Sequence, residues 1–233
     1  MWQDLFQGGR LMLRDTPAGA GAPVAEGFPL LAEILLLVFI VLAILLLSRF
    51  LHLFPLLADS IFRVRGGREL EDSVRNSHDR NLVAIILLIP ALLLVFRYRL
   101  YDPSFLRGLD GSLRLLALAA VMLVYLLLHR LLYLWMRPRR QSDLYQRSNR
   151  AVYNYFILFM LVALLTVGVL AFFPVKEFTV RVFLYGEGVL VFLLFLWRRA
   201  QILSLFCNPL RTFLYLCGLE ILPAVLLVVS ALM

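Results

Sequence analysis

The stretch that decides the fold is ILLLVFIVLAILLL, residues 34–47, which is apolar throughout and carries no charge. With its apolar flanks it reaches the roughly 20 residues that a helix needs to cross the hydrocarbon core of a bilayer. Five further apolar stretches follow it. In chain order, the predicted spans are residues 28–57, 81–96, 113–136, 151–173, 182–197 and 212–232. Because these runs are continuous and do not alternate with period two, they exclude a transmembrane β-barrel.

The composition agrees with this interpretation. The chain has 233 residues, of which 62% are hydrophobic, against about 45–50% apolar residues in soluble domains. We therefore predict an all-α, polytopic transmembrane bundle of about six helices over residues 28–233. We expect residues 1–27 to form a separate N-terminal, non-cytoplasmic segment, which lacks the apolar centre of a cleavable signal peptide. The first span then serves as an uncleaved insertion signal.

Basic residues, nearly all arginines, are distributed unevenly between the connections. Of 23 basic residues, 15 lie in or beside the first, third and fifth connections and 8 lie on the other side. The positive-inside rule then places both termini outside the cytoplasm. In a soluble protein a net charge of +8 would suggest nucleic acid. Here the arginines separate apolar runs, so we expect contact with anionic lipid headgroups and no nucleic-acid partner.

Motifs for metal, cofactor or covalent chemistry are not found in the sequence. The three histidines are scattered, and no Cys/His cluster has zinc spacing. Cys207 and Cys217 both fall near the cytoplasmic end of the last hairpin, where a structural disulfide is not expected. No nucleotide-binding or nucleophile motif occurs. We predict no catalytic residue, no cofactor and no metal.

Two acidic residues lie deep in apolar spans. Glu220 is nine residues beyond Arg211, about 13 Å into the membrane, and Glu187 is eleven residues before Arg198, about 16 Å. A charge at the bilayer centre costs at least about 2.5–3.5 kcal/mol, so both should face protein or water. Their similar depth suggests facing carboxylates that share a proton. The glycines of GEG, residues 186–188, would allow close helix approach. One hypothesis is therefore a proton or cation site.

The competing hypothesis is a buried structural pair. His129 and Arg130 lie seven or eight residues before Arg137, about 10–12 Å from the cytoplasmic face. Either could neutralise Glu220 and hold helices three and six together. A third possibility is a neutral Glu220 held by a hydrogen bond. Glu33 is shallow in the first span and is interpreted as an interfacial residue.

Two of the prolines inside the predicted spans are predicted to kink them. Pro90 interrupts the second span, and Pro223 follows Glu220 in the sixth. Pro223 has no N–H, so the carbonyl of Leu219 loses its usual helical donor and a polar spot forms beside Glu220.

The connections contribute two polar strings and several arginine pairs. The strings NSHDRN (76–81) and QRSNR (146–150) are interpreted as loops that lead into helices. Arg139-Arg140 and Arg198-Arg199 are interpreted as topology signals, with binding of lipid phosphate as the alternative.

The string FLYLCGLEILP, residues 213–223, resembles the ending of a bacterial family of small multi-pass inner-membrane proteins, catalogued as domain of unknown function 4271. The resemblance extends more loosely over most of the chain. It implies the inner membrane of a Gram-negative bacterium. Glu220 and Pro223 are the positions that match the family's pattern, and the resemblance supplies no catalytic residue.

The sequence favours a non-enzymatic component or assembly partner of an envelope membrane complex, with a membrane-protein partner or self-association. One alternative is a small proton- or ion-coupled transporter that uses Glu187 and Glu220. A second is a membrane enzyme acting on lipid-linked substrates, with arginines binding phosphate and a carboxylate acting as base.

Overall fold

A computed structural model describes residues 29–62, 74–106, 108–135, 142–204 and 209–232. These residues are 90% helical and contain no strand. The predicted all-α class is confirmed. The predicted N-terminal segment 1–27, Cys207 and the pair Arg139-Arg140 lie outside the described residues.

Five long helices are followed by a segmented one. Their bounds are α1 Leu30–Phe62, α2 Val74–Arg97, α3 Gly111–Trp135, α4 Ser142–Leu170 and α5 Glu177–Ser204, and the last apolar stretch comprises α6 Pro209–Leu216, a π-helical turn Cys217–Ile221 and α7 Leu222–Leu232. A short 3₁₀ turn, Ser104–Leu106, lies between α2 and α3. We refer to α6, the π turn and α7 together as the sixth span.

Six of these helical stretches are long and apolar enough to cross a membrane, which indicates a multi-pass membrane protein. They are Leu30–His52, Ser77–Arg97, Gly111–Trp135, Val152–Leu170, Glu177–Gln201 and Thr212–Ala231. The second and fifth extend beyond their predicted bounds. The reason is that a helix continues as long as its backbone hydrogen bonds do, whether or not the side chains are apolar.

The same effect corrects the prediction for the two polar strings. Residues 76–81 lie within α2 and residues 146–150 within α4, so neither is a loop. Ser77 is already inside α2, where its Oγ accepts a hydrogen bond from Arg80 Nη2 at 3.5 Å. Both helices therefore begin with polar turns that precede their apolar centres.

Among the described residues, the largest apolar cluster joins α2 to α4. Its buried members are Val83, Ala84, Leu87 and Ala91 of α2 with Ile157 and Met160 of α4. The α2 residues recur at helical spacing, which places them on one face. On its other sides α2 contacts α1 and α3, while α4 contacts α5. The order of neighbours is thus α1, α2, α4, α5 and the sixth span.

The helix α3 contacts α1, α2 and the sixth span. The connection from α2 to α3 holds the far end of the sixth span, because the Tyr101 hydroxyl and Ser230 Oγ are hydrogen-bonded at 2.8 Å. The connection is itself fixed by an ion pair of 2.9 Å between Asp102 and Arg114. These contacts place the sixth span between α3 and α5, where Glu220 lies.

Candidate functional site

Glu220 lies in the π turn of the sixth span and is only 6% exposed. The turn follows from the local sequence. Pro223 has no N–H to donate, and its ring would collide with the carbonyl four residues earlier in a regular α-helix. The chain widens here instead, with the N–H of Leu222 donating to the carbonyl of Cys217. A π turn that carries the acid thus lies directly before Pro223, and the kink predicted at Pro223 stays a prediction.

Arg199 of α5 forms an ion pair with Glu220 Oε1. Val191, Phe195, Arg199 and Leu203 are all buried. They recur every four residues, so the arginine continues the inward apolar stripe of α5. Its guanidinium carbon also lies 5.7 Å from the Phe195 ring centre. A cation next to a carboxylate and over an aromatic face is favourable where water is excluded.

His129 of α3 is the second partner of Glu220. Its Nε2 lies 3.3 Å from Glu220 Oε1. An ionised carboxylate can only accept, so this contact requires the proton on Nε2. The imidazole also stacks on Tyr125, one turn earlier, with ring centres 6.4 Å apart. We call Glu220, Arg199 and His129 the carboxylate clamp.

The carboxylate clamp joins three helices through one oxygen atom. Its side chains are 6%, 2% and 17% exposed for Glu220, Arg199 and His129 respectively. One arginine and one carboxylate cancel in charge, so the group can remain in a membrane without the cost of a lone ion. This arrangement suits a helix-to-helix contact better than a reaction centre open to substrate.

Glu187 has a different environment. Its Oε1 accepts a hydrogen bond from Thr166 Oγ1 of α4, and its Oε2 is buried with no partner among the described residues. A Cβ placed on Gly188 would lie 3.6 Å from Phe159 of α4, whereas one on Gly186 would meet nothing within 4 Å. Gly188 thus packs against α4. The predicted close approach between these glycines of α5 and the sixth span is not observed within the described residues.

The hypothesis that Glu187 and Glu220 face each other is wrong. Arg199, which contacts Glu220, lies twelve residues beyond Glu187 on α5, about 18 Å along the axis. An arginine does not mark the same depth in every helix. Arg198 lies six residues inside the end of α5, whereas Arg211 is only two residues into α6. Equal counts from these two residues therefore correspond to unequal depths.

The structure also places the remaining residues that the sequence singled out. Of the two candidates on α3, His129 meets Glu220 and Arg130 is exposed. The helix α2 continues through the buried Pro90, and the kink predicted there stays a prediction. Glu33 is exposed near the start of α1, as an interfacial residue would be.

Arg199 is the site residue that sequence reasoning missed, since Arg198-Arg199 was interpreted as a topology signal. The two neighbours behave differently: Arg198 is half-buried and donates to Gln201 Oε1 at 3.3 Å, while Arg199 is sealed inside. The four-residue spacing from Val191 and Phe195 was the available signal.

Over the described part of the chain, no group of three or more His, Cys, Asp or Glu residues is placed to hold a metal ion. Cys217, in the π turn, is a free thiol of intermediate exposure.

A family model described as Domain of unknown function (DUF4271) matches residues 33–230. The chain belongs to this family. The match covers all six spans almost completely, including the carboxylate clamp. No curated protein and no solved structure matches the chain.

Proposed function

We propose that this DUF4271 protein is a non-enzymatic structural component, or assembly partner, of a membrane-protein complex in the bacterial inner membrane. In this proposal both termini lie outside the cytoplasm, and the arginine-rich side of the bundle contacts anionic headgroups. The partner is another membrane protein or a second copy of the chain.

The observation that carries the proposal is the carboxylate clamp. An intramembrane acid that served as a reaction or transport centre would need access to water or substrate. Glu220 is instead enclosed by Arg199 and His129 and retains 6% exposure. The contacts of its carboxylate hold α3, α5 and the sixth span together. The use of Glu220 in joining helices supports a structural role for this chain within a larger complex.

A second observation suggests where a partner would bind. In the most apolar part of α1 only 6% of residues are buried, against 33% in the corresponding part of α2. The side chains of Leu37 and Ile44 are 63% and 68% exposed. The helix α1 therefore lies at the edge of the bundle, with most of its surface available to lipid or to a helix of another protein.

The first test is purification of the tagged full chain from native membranes in mild detergent, followed by mass spectrometry. A reproducible stoichiometric partner, or a stable oligomer of the chain, supports the proposal. A chain that purifies as a lone monomer contradicts it.

A photocrosslinking experiment locates the contact. A photoreactive amino acid is placed at Leu37 or Ile44 of α1 and, as the matched control, at Val189 or Leu193 of α5, which are 59% exposed. We expect one discrete protein adduct from the α1 positions and only lipid adducts from α5. Equal protein adducts from both helices would show that α1 is not the docking face.

A further inference from the structure

Four basic residues occur where α2 ends and α5 begins. Arg97 and Arg99 lie at the end of α2, and Lys176 and Arg181 lie at the start of α5. We call these four residues the basic patch. Glu177, the first residue of α5, is the acid beside them. Four cations and one carboxylate leave a net charge of +3 at this end of the two helices.

The end of α2 packs along one face of α5. Glu177, Arg181 and Tyr185 recur every four residues and share that face. Arg97 Nη2 lies 3.2 Å from Glu177 Oε1, and the Tyr185 hydroxyl donates to the Leu100 carbonyl. Arg181 therefore lies between two contacts with the end of α2. Its Nε is buried and meets no acceptor within the described residues.

The backbone of Arg99 has an unusual conformation. Its φ is 46°, in the left-handed region. The N–H of Leu100 donates to the carbonyl of Val95 at 3.1 Å, and that of Arg99 donates to the carbonyl of Phe96 at 3.4 Å. In this type of helix ending the left-handed position is usually glycine, which has no Cβ to collide with the backbone. An exposed arginine at such a position indicates a use for its charged side chain.

The basic patch lies at the edge of the apolar part of the bundle. Arg97 ends the second membrane-spanning stretch, and Glu177 begins the fifth. Lipid phosphates lie directly outside the hydrocarbon core, at the level where such stretches end. Guanidinium groups match the geometry of phosphate oxygens. Three exposed aromatic residues next to Lys176 in the chain can contact acyl chains: Phe172, Phe173 and Phe178.

We propose that the basic patch binds the phosphate group of an anionic phospholipid. Arg99, Lys176 and Arg181 hold the phosphate, and Arg97 is shared between the lipid and Glu177. Arg114, at the same end of the bundle, is balanced by Asp102 and takes no part.

The site differs from the headgroup contacts of the proposed function. Those contacts involve the arginine-rich side of the bundle, whereas the basic patch lies at the opposite ends of the helices. It would thus bind a lipid of the other leaflet. The proposal does not depend on a protein partner or on the orientation of the chain, because both leaflets contain phosphate.

The first test is native mass spectrometry of the full chain in mild detergent with increasing phosphatidylglycerol. We expect Arg181→Gln to weaken the tightest binding about tenfold, the effect of losing one hydrogen bond to a charged group. Arg130→Gln removes an exposed arginine at the other end of the bundle and is the matched control, with no change expected. Equal losses from both variants, or no loss from Arg181→Gln, overturn the proposal.

Arg99→Gly separates lipid binding from folding. Glycine suits the left-handed backbone, so the melting temperature of the purified chain should hold or rise. The affinity for phosphatidylglycerol should fall, because a cation is lost. Glu177→Gln removes the acid of the site and should strengthen binding. If Arg99→Gly binds phosphatidylglycerol as tightly as the wild type does, Arg99 does not contact the lipid and the proposal is wrong.

Two comparisons identify the ligand. Phosphatidylcholine, whose headgroup has no net charge, should bind more weakly than phosphatidylglycerol, and inorganic phosphate should compete poorly because it lacks acyl chains. Inorganic phosphate that binds as tightly as the lipid would make the ligand a soluble anion and overturn the lipid assignment. A protein that is lost from the purified Arg181→Gln variant, with phosphatidylglycerol binding unchanged, would make the basic patch a protein contact and also overturn it.

Discussion

Glu220 and Glu187 are the same residue type in neighbouring spans, yet the fold treats them in opposite ways. Glu220 meets a guanidinium and an imidazole from two other helices, whereas Glu187 meets a single threonine hydroxyl. The difference shows that depth alone does not set the role of an intramembrane acid. What decides it is whether a neighbouring helix presents a cation at the same level.

The largest effect should come from breaking the carboxylate clamp on one side. Arg199→Met leaves the buried carboxylate of Glu220 without its cation, which should lower the free energy of unfolding by about 3–5 kcal/mol. Unfolding in mixed detergent micelles with increasing dodecyl sulfate would measure this. Arg198→Met is the matched control, with an expected change of about 0.5 kcal/mol or less because the Arg198 side chain makes an exposed hydrogen bond to Gln201.

Removing both charges tests whether the effect is due to pairing. In Arg199→Met/Glu220→Met no lone charge remains, so stability should recover to within about 1–2 kcal/mol of the wild type. The remaining loss would come from His129, which no longer has its acceptor. If the two single losses simply add in the double variant, Arg199 and Glu220 are not a coupled pair.

An effect smaller than that of Arg199→Met is expected from His129, the third member of the clamp. His129→Leu removes one hydrogen bond to a charged acceptor and should cost about 1.5–3 kcal/mol in the same unfolding assay. Arg130→Leu, next to it on the exposed face of α3, should change stability little. Equal losses from both would mean that His129 does not support Glu220.

The smallest effect should be at the Glu187 site. Thr166→Val deletes the only hydroxyl that Glu187 contacts in the described structure and should cost about 0.6 kcal/mol, typical of a hydrogen bond between membrane helices. Glu187→Gln keeps an acceptor for Thr166 and should be nearly neutral. A loss of several kcal/mol from Glu187→Gln would mean that this side chain makes a stronger contact than its hydrogen bond with Thr166.

Much of the site could be anticipated from residue type and position. Glu220 stood out because it is an acid in an apolar span, and Pro223 because it removes a backbone donor beside it. His129 was one of two partners proposed for Glu220, and it is the one that makes the contact. Arg199 was missed because it looks like an ordinary end-of-helix arginine until α5 is known to continue to Ser204.

The sequence by itself determined the six spans and the all-α class, since crossing a bilayer needs only a sufficient length of apolar helix, which is a local property. It also identified both membrane-embedded acids. Only the tertiary structure decided their partners. A partner depends on how far each helix extends, how it is rotated and where a π turn shifts its register, and a misjudgement of six residues moves a side chain by about 9 Å along the axis. Contacts of about 3 Å between helices distant in sequence are therefore fixed by packing, which turned one predicted pair of acids into two unrelated sites.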